Sequence, residues 1–283
     1  DYVDSLQMLS RFYLATDFQS LAKIIRQQVK NDDFEKPLET VIEKAINNNS
    51  DKVIRKFTTV NKHGERVFID EAPRSVHISE TLTKKFQQAF SEYRKTVRAN
   101  VRVLLMQYRI TDVIRHSVGV GSFGSRCYLL LLTANDGSHL VLQVKAALPT
   151  RDAFLPLKLD IDLHLEIGEG NRIISAQKIM QTASDSFLGS MTIDDRSYYV
   201  RQFRDMKGSF DMTKLDWPAY KLYVRVCAAL LAISHFHSPT APMIAGYLAT
   251  PGDFDQLMAK WAVKYANQVD LDYKRFAEFV KDN

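Results

Sequence analysis

A glycine-rich turn that leads directly into an apolar strand most constrains how this chain can fold. Residues 119–124, with the sequence GVGSFG, have the spacing GxGxxG, and the strand-forming run CYLLLL follows at residues 127–132. A dinucleotide-binding fold needs such glycines to open a helix, and a P-loop needs a Lys followed by Ser or Thr, which this segment lacks. The pattern therefore predicts two antiparallel strands joined by a turn without bulky side chains.

The glycine turn lies within a block that is typical of antiparallel β-structure. Strands are predicted at residues 112–118, 126–133, 139–146, 188–193 and 197–203, with hairpin turns at Asn135-Asp136-Gly137 and Asp194-Asp195-Arg196. A helix is predicted over residues 171–184, between the third and fourth strands. We therefore predict an α+β fold in which an antiparallel five-stranded sheet with one inserted helix is flanked by mainly helical regions.

The flanking regions carry helical periodicity and few turn signals. Helices are predicted up to residue 15, over 17–29 and 37–46, and from Ser79 or Thr81 to about residue 107, with a hairpin at 55–60 and 66–69. Further helices are predicted at 217–236, at 251–268 and from residue 271. This organisation divides the chain into a helical region at 1–108, the sheet at 109–208 and a helical region at 209–283.

Composition is that of a soluble globular protein, with 46% hydrophobic and 25% charged residues. No apolar run approaches the roughly 18 residues of a membrane helix, so no membrane partner is predicted. Cys127 and Cys227 stand in apolar surroundings and are expected to be buried thiols in a reducing, cytoplasmic compartment. No CxxC or HxxxH spacing occurs, so no metal site is predicted. The helical pattern starts almost at Asp1, which is typical of a piece of a longer protein.

The net charge of +5 is a mild excess and argues against nucleic acid as a partner. Arg94, Arg98 and Arg102 fall on one face of the predicted long helix. They form either a solvated face or an anion-facing surface. Binding of nucleic acid there would weaken steeply with salt.

Lys145 is the only formal charge on the third predicted strand, in the sequence LQVKA. In kinase-type sites, glycines joining two antiparallel strands let backbone N–H groups approach phosphate oxygens, and a lysine on the third strand pairs with those phosphates. The same residues also fit a plain hairpin connection and a lysine that extends to the sheet edge. Their order, followed by a helix, favours phosphate binding.

Two further groups belong to the predicted site. A glutamate near the start of the inserted helix, Glu166 or Glu169, is expected to hold the lysine, although acidic residues also simply favour a helix N-terminus. Arg201 forms part of the charged exit from the fifth strand and serves either surface ion pairs or the nucleotide. The predicted nucleotide-binding residues share one sheet end, and they are Gly119, Gly121, Ser122, Gly124, Lys145, Glu169 and Arg201.

Five segments, taken in order, resemble the bacterial uncharacterised family catalogued as domain of unknown function 2252. They are 118–128 (VGVGSFGSRCY), 142–146 (LQVKA), 181–189 (QTASDSFLG), 199–209 (YVRQFRDMKGS) and 244–248 (IAGYL). The family carries upstream GDxHxxN and FDxNDFD-like segments, which look like the catalytic loop and metal-binding aspartate of aminoglycoside-phosphotransferase-like kinases. The resemblance thus implies a protein-kinase-like fold with its parts in permuted order, ATP as cofactor, and Mg²⁺ bound through residues not in this chain.

The chain departs from the family pattern at Ala146, where an acidic residue is common, and at Ser175, where glutamate is common. The helix predicted at 217–236 ends with His235 and His237, and no Asp or Asn of a catalytic loop follows. The catalytic residues are therefore unknown. The leading hypothesis is an ATP-binding, kinase-like phosphotransferase whose acceptor is a small molecule or a protein. The alternative is a non-catalytic, kinase-like binding or scaffold module.

Overall fold

The structure, a computed structural model, describes residues 40–41, 50–117, 125–149, 168–181, 184–203, 210–238, 240–249 and 252–282. The helices predicted before residue 40 lie outside these residues. So do Glu166 and the glycine turn with Gly119, Gly121, Ser122 and Gly124.

Helices and strands alternate along the described residues. The helices are α1 Ser50–Phe57, α2 Glu80–Thr96, α3 Ala99–Leu105, α4 Glu169–Met180, α5 Trp217–Phe236, α6 Ala241–Ala249 and α7 Phe254–Asp282. The strands are β1 Thr58–Val60, β2 Arg66–Phe68, β3 Ser75–His77, β4 Tyr108–His116, β5 Cys127–Ala134, β6 His139–Ala146, β7 Gly189–Ile193 and β8 Arg196–Gln202. A 3-10 turn, Met212–Lys214, precedes α5.

Six strands form one antiparallel sheet in the order β3-β4-β5-β6-β8-β7, and β1 pairs with β2 in a separate hairpin. The five predicted strands are β4 to β8, and α4 is inserted between β6 and β7 as predicted. The mixed α+β fold with antiparallel sheets is thus confirmed. The sixth strand, β3, was missed because three residues are too few to show alternation of apolar and polar positions.

Both predicted hairpin turns are present and use the backbone freedom of their residues. Gly137 has φ +83°, and Asp194 and Asp195 have φ of 48° and 58°. Left-handed φ values at two central residues match the right-handed strand twist, and Asp tolerates them better than most residues. Asp194 is further held by Lys85 of α2, whose ammonium lies 2.6 Å from its carboxylate.

Helix α2 covers one face of the sheet. Its buried side chains Phe86, Phe90 and Tyr93 pack against Tyr128, Leu130, Leu142 and Val144 of β5 and β6. Burying each of these aromatic side chains contributes roughly 1.5–3 kcal/mol. Gly189 lets α2 approach β7, since a Cβ there would lie 2.6 Å from Thr96 Oγ1 and 2.8 Å from Tyr93 Cε2. Of the two predicted start residues, Ser79 caps the N-terminus of α2, since its Oγ accepts a hydrogen bond from Leu82 N–H, and Thr81 lies inside the helix.

The opposite face carries α1 at one end and α4 at the other. Helix α1 packs on β6, and α4 packs on β7 and β8. Ile54 of α1 packs in an apolar cluster with Phe68, Leu131 and Phe203. We call this surface the Lys145 face, because Lys145 pairs across the ladders with Cys127 and Tyr199 and shares their side of the sheet.

Several local predictions were wrong. Residues 55–57 end α1 rather than begin a strand, and the predicted break near residue 270 is absent, since α7 runs through it. The helix predicted to reach residue 107 is interrupted at Val97 and Arg98. Cys127 is buried as expected, but Cys227 is exposed.

The interruption also removes the predicted arginine face. Arg102 of α3 turns back and donates hydrogen bonds to the carbonyl oxygens of Arg94 and Lys95, each at 3.1 Å. It thereby satisfies carbonyl groups that the end of α2 leaves without helical partners. The Arg94 guanidinium lies over the Phe90 ring, 5.4 Å from its centroid. Arg94, Arg98 and Arg102 therefore do not share one helix face.

Helix α5 is, among the described helices, the one long and apolar enough to cross a membrane by length and composition. The core helix of a soluble protein passes the same test.

Candidate functional site

Lys145 is the second-last residue of β6 and is half-buried. It lies on the face of the sheet that carries α1 and α4. Its ladder partner Cys127 is the first residue of β5, and its other partner is Tyr199 of β8. The strand before β5 ends at His116. The segment that contains the glycines therefore leaves and re-enters the sheet at the same end as Lys145.

Arg201 belongs to the same surface and is held by a buried amide. Its Nε donates a 2.9 Å hydrogen bond to Oε1 of Gln143, its ladder partner on β6. Gln143 is only 2% exposed, and its Nε2 lies 3.6 Å from Cys127 Sγ. We did not predict Gln143 as a site residue. The sequence did mark Gln143 as a candidate, because it is a polar residue two positions before Lys145 in a mostly apolar strand.

In the cluster of Lys145, Arg201, Cys127 and Tyr199, the charges are those of Lys145 and Arg201, because the other two side chains are neutral. Burial raises the pKa of the Cys127 thiol despite the nearby Lys145 and Arg201 charges and the hydrogen bond from Gln143. Burial likewise raises the pKa of Tyr199, an effect that Arg201 partly opposes. Both groups are neutral at neutral pH. Among the described residues, neither Lys145 nor Arg201 forms an ion pair with a carboxylate.

Glu169, the predicted partner of Lys145, is the first residue of α4 and has another partner here. Its Oε2 accepts a 2.6 Å hydrogen bond from Arg172 Nε, and Arg172 also donates to the Leu148 carbonyl. Helix α4 nevertheless lies on the Lys145 face, because Gly170 N donates a 2.8 Å hydrogen bond to Ser197 Oγ of β8. The structure thus brings α4 to the Lys145 face and pairs Glu169 with Arg172.

Aromatic rings border the Lys145 face on the side of α1. Phe57, His116 and Phe203 meet edge to face, with ring centroids 5.3 to 5.6 Å apart. Phe203 directly follows β8, and its backbone N–H donates to Val141 O at 3.0 Å. The surface therefore combines two cations with an apolar border, a composition suited to an anionic ligand that also carries an apolar part.

A second polar cluster lies at the β3 edge of the sheet. The ring of His77 stands between two carboxylates, with Nδ1 2.7 Å from Asp70 Oδ2 and Nε2 3.1 Å from Asp112 Oδ2. Asp112 also accepts backbone N–H bonds from Phe68 and Val113. A cavity of about 340 Å³ adjoins this cluster and is lined also by Glu80, Thr83, Lys84 and Gln87.

Burial by itself would lower the pKa of His77, but the hydrogen bonds and charges of Asp70 and Asp112 outweigh it and raise that pKa. The hydrogen bonds from His77 lower the pKa of Asp70. No local sequence pattern indicates this cluster, because Asp112 lies 35 residues beyond His77, although Asp70 is only seven residues before it. Its bonds join β2, β3 and β4, so its evident role is to fix the β1–β2 hairpin and β3 to the sheet.

A family model described as an uncharacterised protein conserved in bacteria (DUF2252) matches residues 2–279 of the chain. The chain belongs to the DUF2252 family. No curated protein and no solved structure matches it. In this DUF2252 protein, two of the segments that suggested the family meet on the Lys145 face: 142–146 supplies Gln143 and Lys145, and 199–209 supplies Tyr199 and Arg201.

Proposed function

We propose that this DUF2252 protein binds the phosphates of ATP on the Lys145 face and acts, at full length, as a kinase-like phosphotransferase. Its acceptor is a small molecule or another protein. The backbone N–H groups of Gly119, Gly121, Ser122 and Gly124 would contact phosphate oxygens, and the Lys145 ammonium would neutralise them. Arg201 would add a second cation.

The observation that carries the proposal is the register of β5 and β6. Lys145 stands opposite Cys127, at the sheet end where β4 and β5 are connected, and on the face against which α4 packs. The kinase-type arrangement needs the same order: a glycine turn between the first two strands, a lysine on the third and a helix after it. A phosphate bound by lysine and backbone N–H groups there would lie partly out of water, where charged hydrogen bonds are stronger.

The donor set on the Lys145 face fits a polyphosphate and does not fit a metal. Lys145, Arg201 and Gln143 offer N–H groups, whereas Mg²⁺ requires oxygen ligands. In the described part of the chain, no group of three or more His, Cys, Asp or Glu side chains is arranged to hold a metal ion. The proposed Mg²⁺ ligands are therefore the acidic residues that the family resemblance places upstream.

The test is a titration of the full-length protein with ATP and Mg²⁺, carried out beside a Lys145→Ala variant. We expect the variant to lose at least several-fold in affinity, since a hydrogen bond to a charged group contributes roughly 1.5–3 kcal/mol. Lys178→Ala is the matched control, because Lys178 is exposed near the end of α4 and should leave affinity unchanged. Equal affinity of wild type and a folded Lys145→Ala variant would refute ATP binding at this face.

A non-catalytic binding module is the second candidate, and the pairing of Glu169 with Arg172 favours it. A lysine that Glu169 does not hold can still bind phosphate, whereas active kinases use a helix glutamate to orient this lysine. Ala146 and Ser175 also favour the non-catalytic module, because they stand where acidic residues are common in the family. ATP hydrolysis separates the candidates: ATP binding without Mg²⁺-dependent turnover in the full-length protein would favour the module.

A further inference from the structure

A buried glutamine on β6 fixes the direction of a guanidinium beside Lys145. Gln143 is 2% exposed, and its Oε1 accepts the Nε proton of Arg201 at 2.9 Å. This bond uses the one N–H that lies along the arginine side chain. Both terminal nitrogens of Arg201 remain for another partner, and none of the described residues accepts a hydrogen bond from them.

Lys145 and Arg201 are close enough to act on one ligand. Lys145 pairs with Tyr199, and Arg201 follows two positions later on the same strand and the same face. Such diagonal neighbours have Cα atoms roughly 7–8 Å apart, within the reach of long side chains. Two like charges at this separation repel each other unless an anion lies between them.

A purely structural role explains Gln143 poorly. A buried amide loses its hydrogen bonds to water, and an apolar residue of similar size would fill the same space without that cost. Its second contact, from Nε2 to the Cys127 sulfur at 3.6 Å, is a weak one. The contact that distinguishes glutamine from an apolar residue here is therefore the bond to Arg201.

We propose that Gln143 is a positioning residue that holds Arg201 beside Lys145, so that the two cations select a ligand with two or more linked anionic groups. The inference rests on the proposed function, and it specifies that function as recognition of a di- or triphosphate rather than a single phosphate. A single phosphate group presents its oxygens at one point, so it contacts one of the two cations better than the other. A polyphosphate chain contacts both, and Arg201 offers its terminal nitrogens to adjacent phosphate oxygens.

The first arm of the test compares AMP, ADP, ATP and inorganic tripolyphosphate by titration calorimetry on the full-length protein. We expect affinity to rise with the number of phosphates. Arg201→Met should lower the affinity for ATP and tripolyphosphate roughly tenfold, and that for AMP less than about twofold. Arg115→Met is the control, because Arg115 is exposed and pairs with Tyr128, on the face that α2 covers.

The second arm is a double-mutant cycle. Gln143→Met should weaken ATP binding roughly threefold to tenfold, but it should cause no further loss when Arg201 is already Met, because the glutamine acts through the arginine. Gln143→Glu keeps an acceptor for Arg201 Nε and should keep the melting temperature, yet its charge should cancel the preference for ATP over AMP. If Gln143→Met does not fold, Gln143→Glu and Arg201→Met carry the test.

The outcomes separate the two proposals. If wild type binds neither ATP nor tripolyphosphate, the proposed function fails and this inference fails with it. If ATP binds in a manner that depends on Lys145, but Arg201→Met keeps the ATP-to-AMP ratio of the Arg115→Met control, the two-cation site alone is overturned. Additive losses in the cycle would show that Gln143 acts on binding by another route and would refute its positioning role.

Discussion

At the scale of residues, polar side chains are built into the sheet in two places and have different roles. On the Lys145 face, Gln143 accepts a 2.9 Å hydrogen bond from Arg201 Nε. At the β3 edge, both ring nitrogens of His77 contact carboxylates of the protein itself, those of Asp70 and Asp112. In the first arrangement, the terminal nitrogens of Arg201 have no acceptor among the described residues, whereas in the second both ring nitrogens of His77 are used within the fold.

The His77 cluster predicts a dependence of stability on pH. The folded-state pKa of His77 is raised above 6.5. The interactions of protonated His77 therefore stabilise the fold fully below pH 6.5, and this stabilisation is lost as pH rises through the folded pKa. The pKa of Asp70 is lowered from 3.8, so its contribution is present above that value and is lost as pH falls through the folded pKa. The cluster therefore stabilises most in the interval between these two ordinary values. Glu80 and Lys84, which carry opposite charges, line the same cavity as His77.

We expect His77→Asn to destabilise the protein by about 1 kcal/mol at about pH 5.5 and by clearly less at about pH 8.5, because the ion pairs are partly exposed and screened. Urea unfolding at both pH values measures the difference. His63→Asn is the control, since His63 is exposed in the β1–β2 turn and its replacement should change stability little. An equal loss at both pH values would mean that His77 contributes by packing rather than by charge.

Single charges within apolar strands were predictable from the sequence, whereas their partners were not. Lys145 could be singled out because it interrupts a mostly apolar strand, and Arg201 because it belongs to the charged exit from its strand. The pairing of Gln143 with Arg201 and the contact of His77 with Asp112 depend on strand register, which joins residues 58 and 35 positions apart and leaves no local signal of the pairing. The pairing of Glu169 with Arg172 is a helix contact three residues apart, which a sequence allows but does not require.

At the scale of elements, the position of α4 is set by one glycine. A Cβ at Gly170 would lie 2.6 Å from the Tyr198 carbonyl oxygen and 2.8 Å from Ser197 Oγ. The first of these atoms belongs to the backbone of β8 and cannot rotate away. The helix can therefore lie this close to the sheet only with glycine at that position.

Gly170→Ala should destabilise the protein by about 1–3 kcal/mol, because the clash outweighs the gain in helix propensity. Gly246→Ala is a matched helical control: within the described structure an added Cβ at Gly246 meets no atom within 4 Å. That control should be neutral or stabilise by up to about 1 kcal/mol. Thermal unfolding of both variants measures the difference. A stabilised Gly170→Ala protein would show that α4 does not pack on β8 as described.

Element types were predictable where turn chemistry is strong. The Asn135-Asp136-Gly137 and Asp194-Asp195 turns fixed two hairpins, and the apolar runs between them are strands. The interruption between α2 and α3 was missed because neither Val97 nor Arg98 is a helix breaker. Tertiary contacts decide it: Val97 is buried against the sheet, and Arg102 closes the end of α2.

At the scale of the whole molecule, burial is concentrated in the central strands. Residues 129–132 of β5 are fully buried, with α1 on one face of the sheet and α2 on the other. The C-terminal helices are different. Apart from the half-buried Ala277, the residues of α7 with described side chains are exposed. Its exposed apolar residues include Trp261, Tyr265, Tyr273, Phe276 and Phe279.

This contrast predicts a gradient in amide hydrogen exchange across the molecule. The amides of β5 and β6 open only when strands on both sides separate, so they should exchange with a free energy close to that of global unfolding. The described side chains of α7 are almost all exposed, so its amides should exchange at least roughly 100-fold faster. Exchange followed by mass spectrometry, at two protein concentrations, tests this expectation. If α7 is as protected as β5 and loses that protection on dilution, its apolar side chains are covered by a second copy. If its protection is high and independent of concentration, α7 is packed within the chain, and the exposure described for it does not hold in solution.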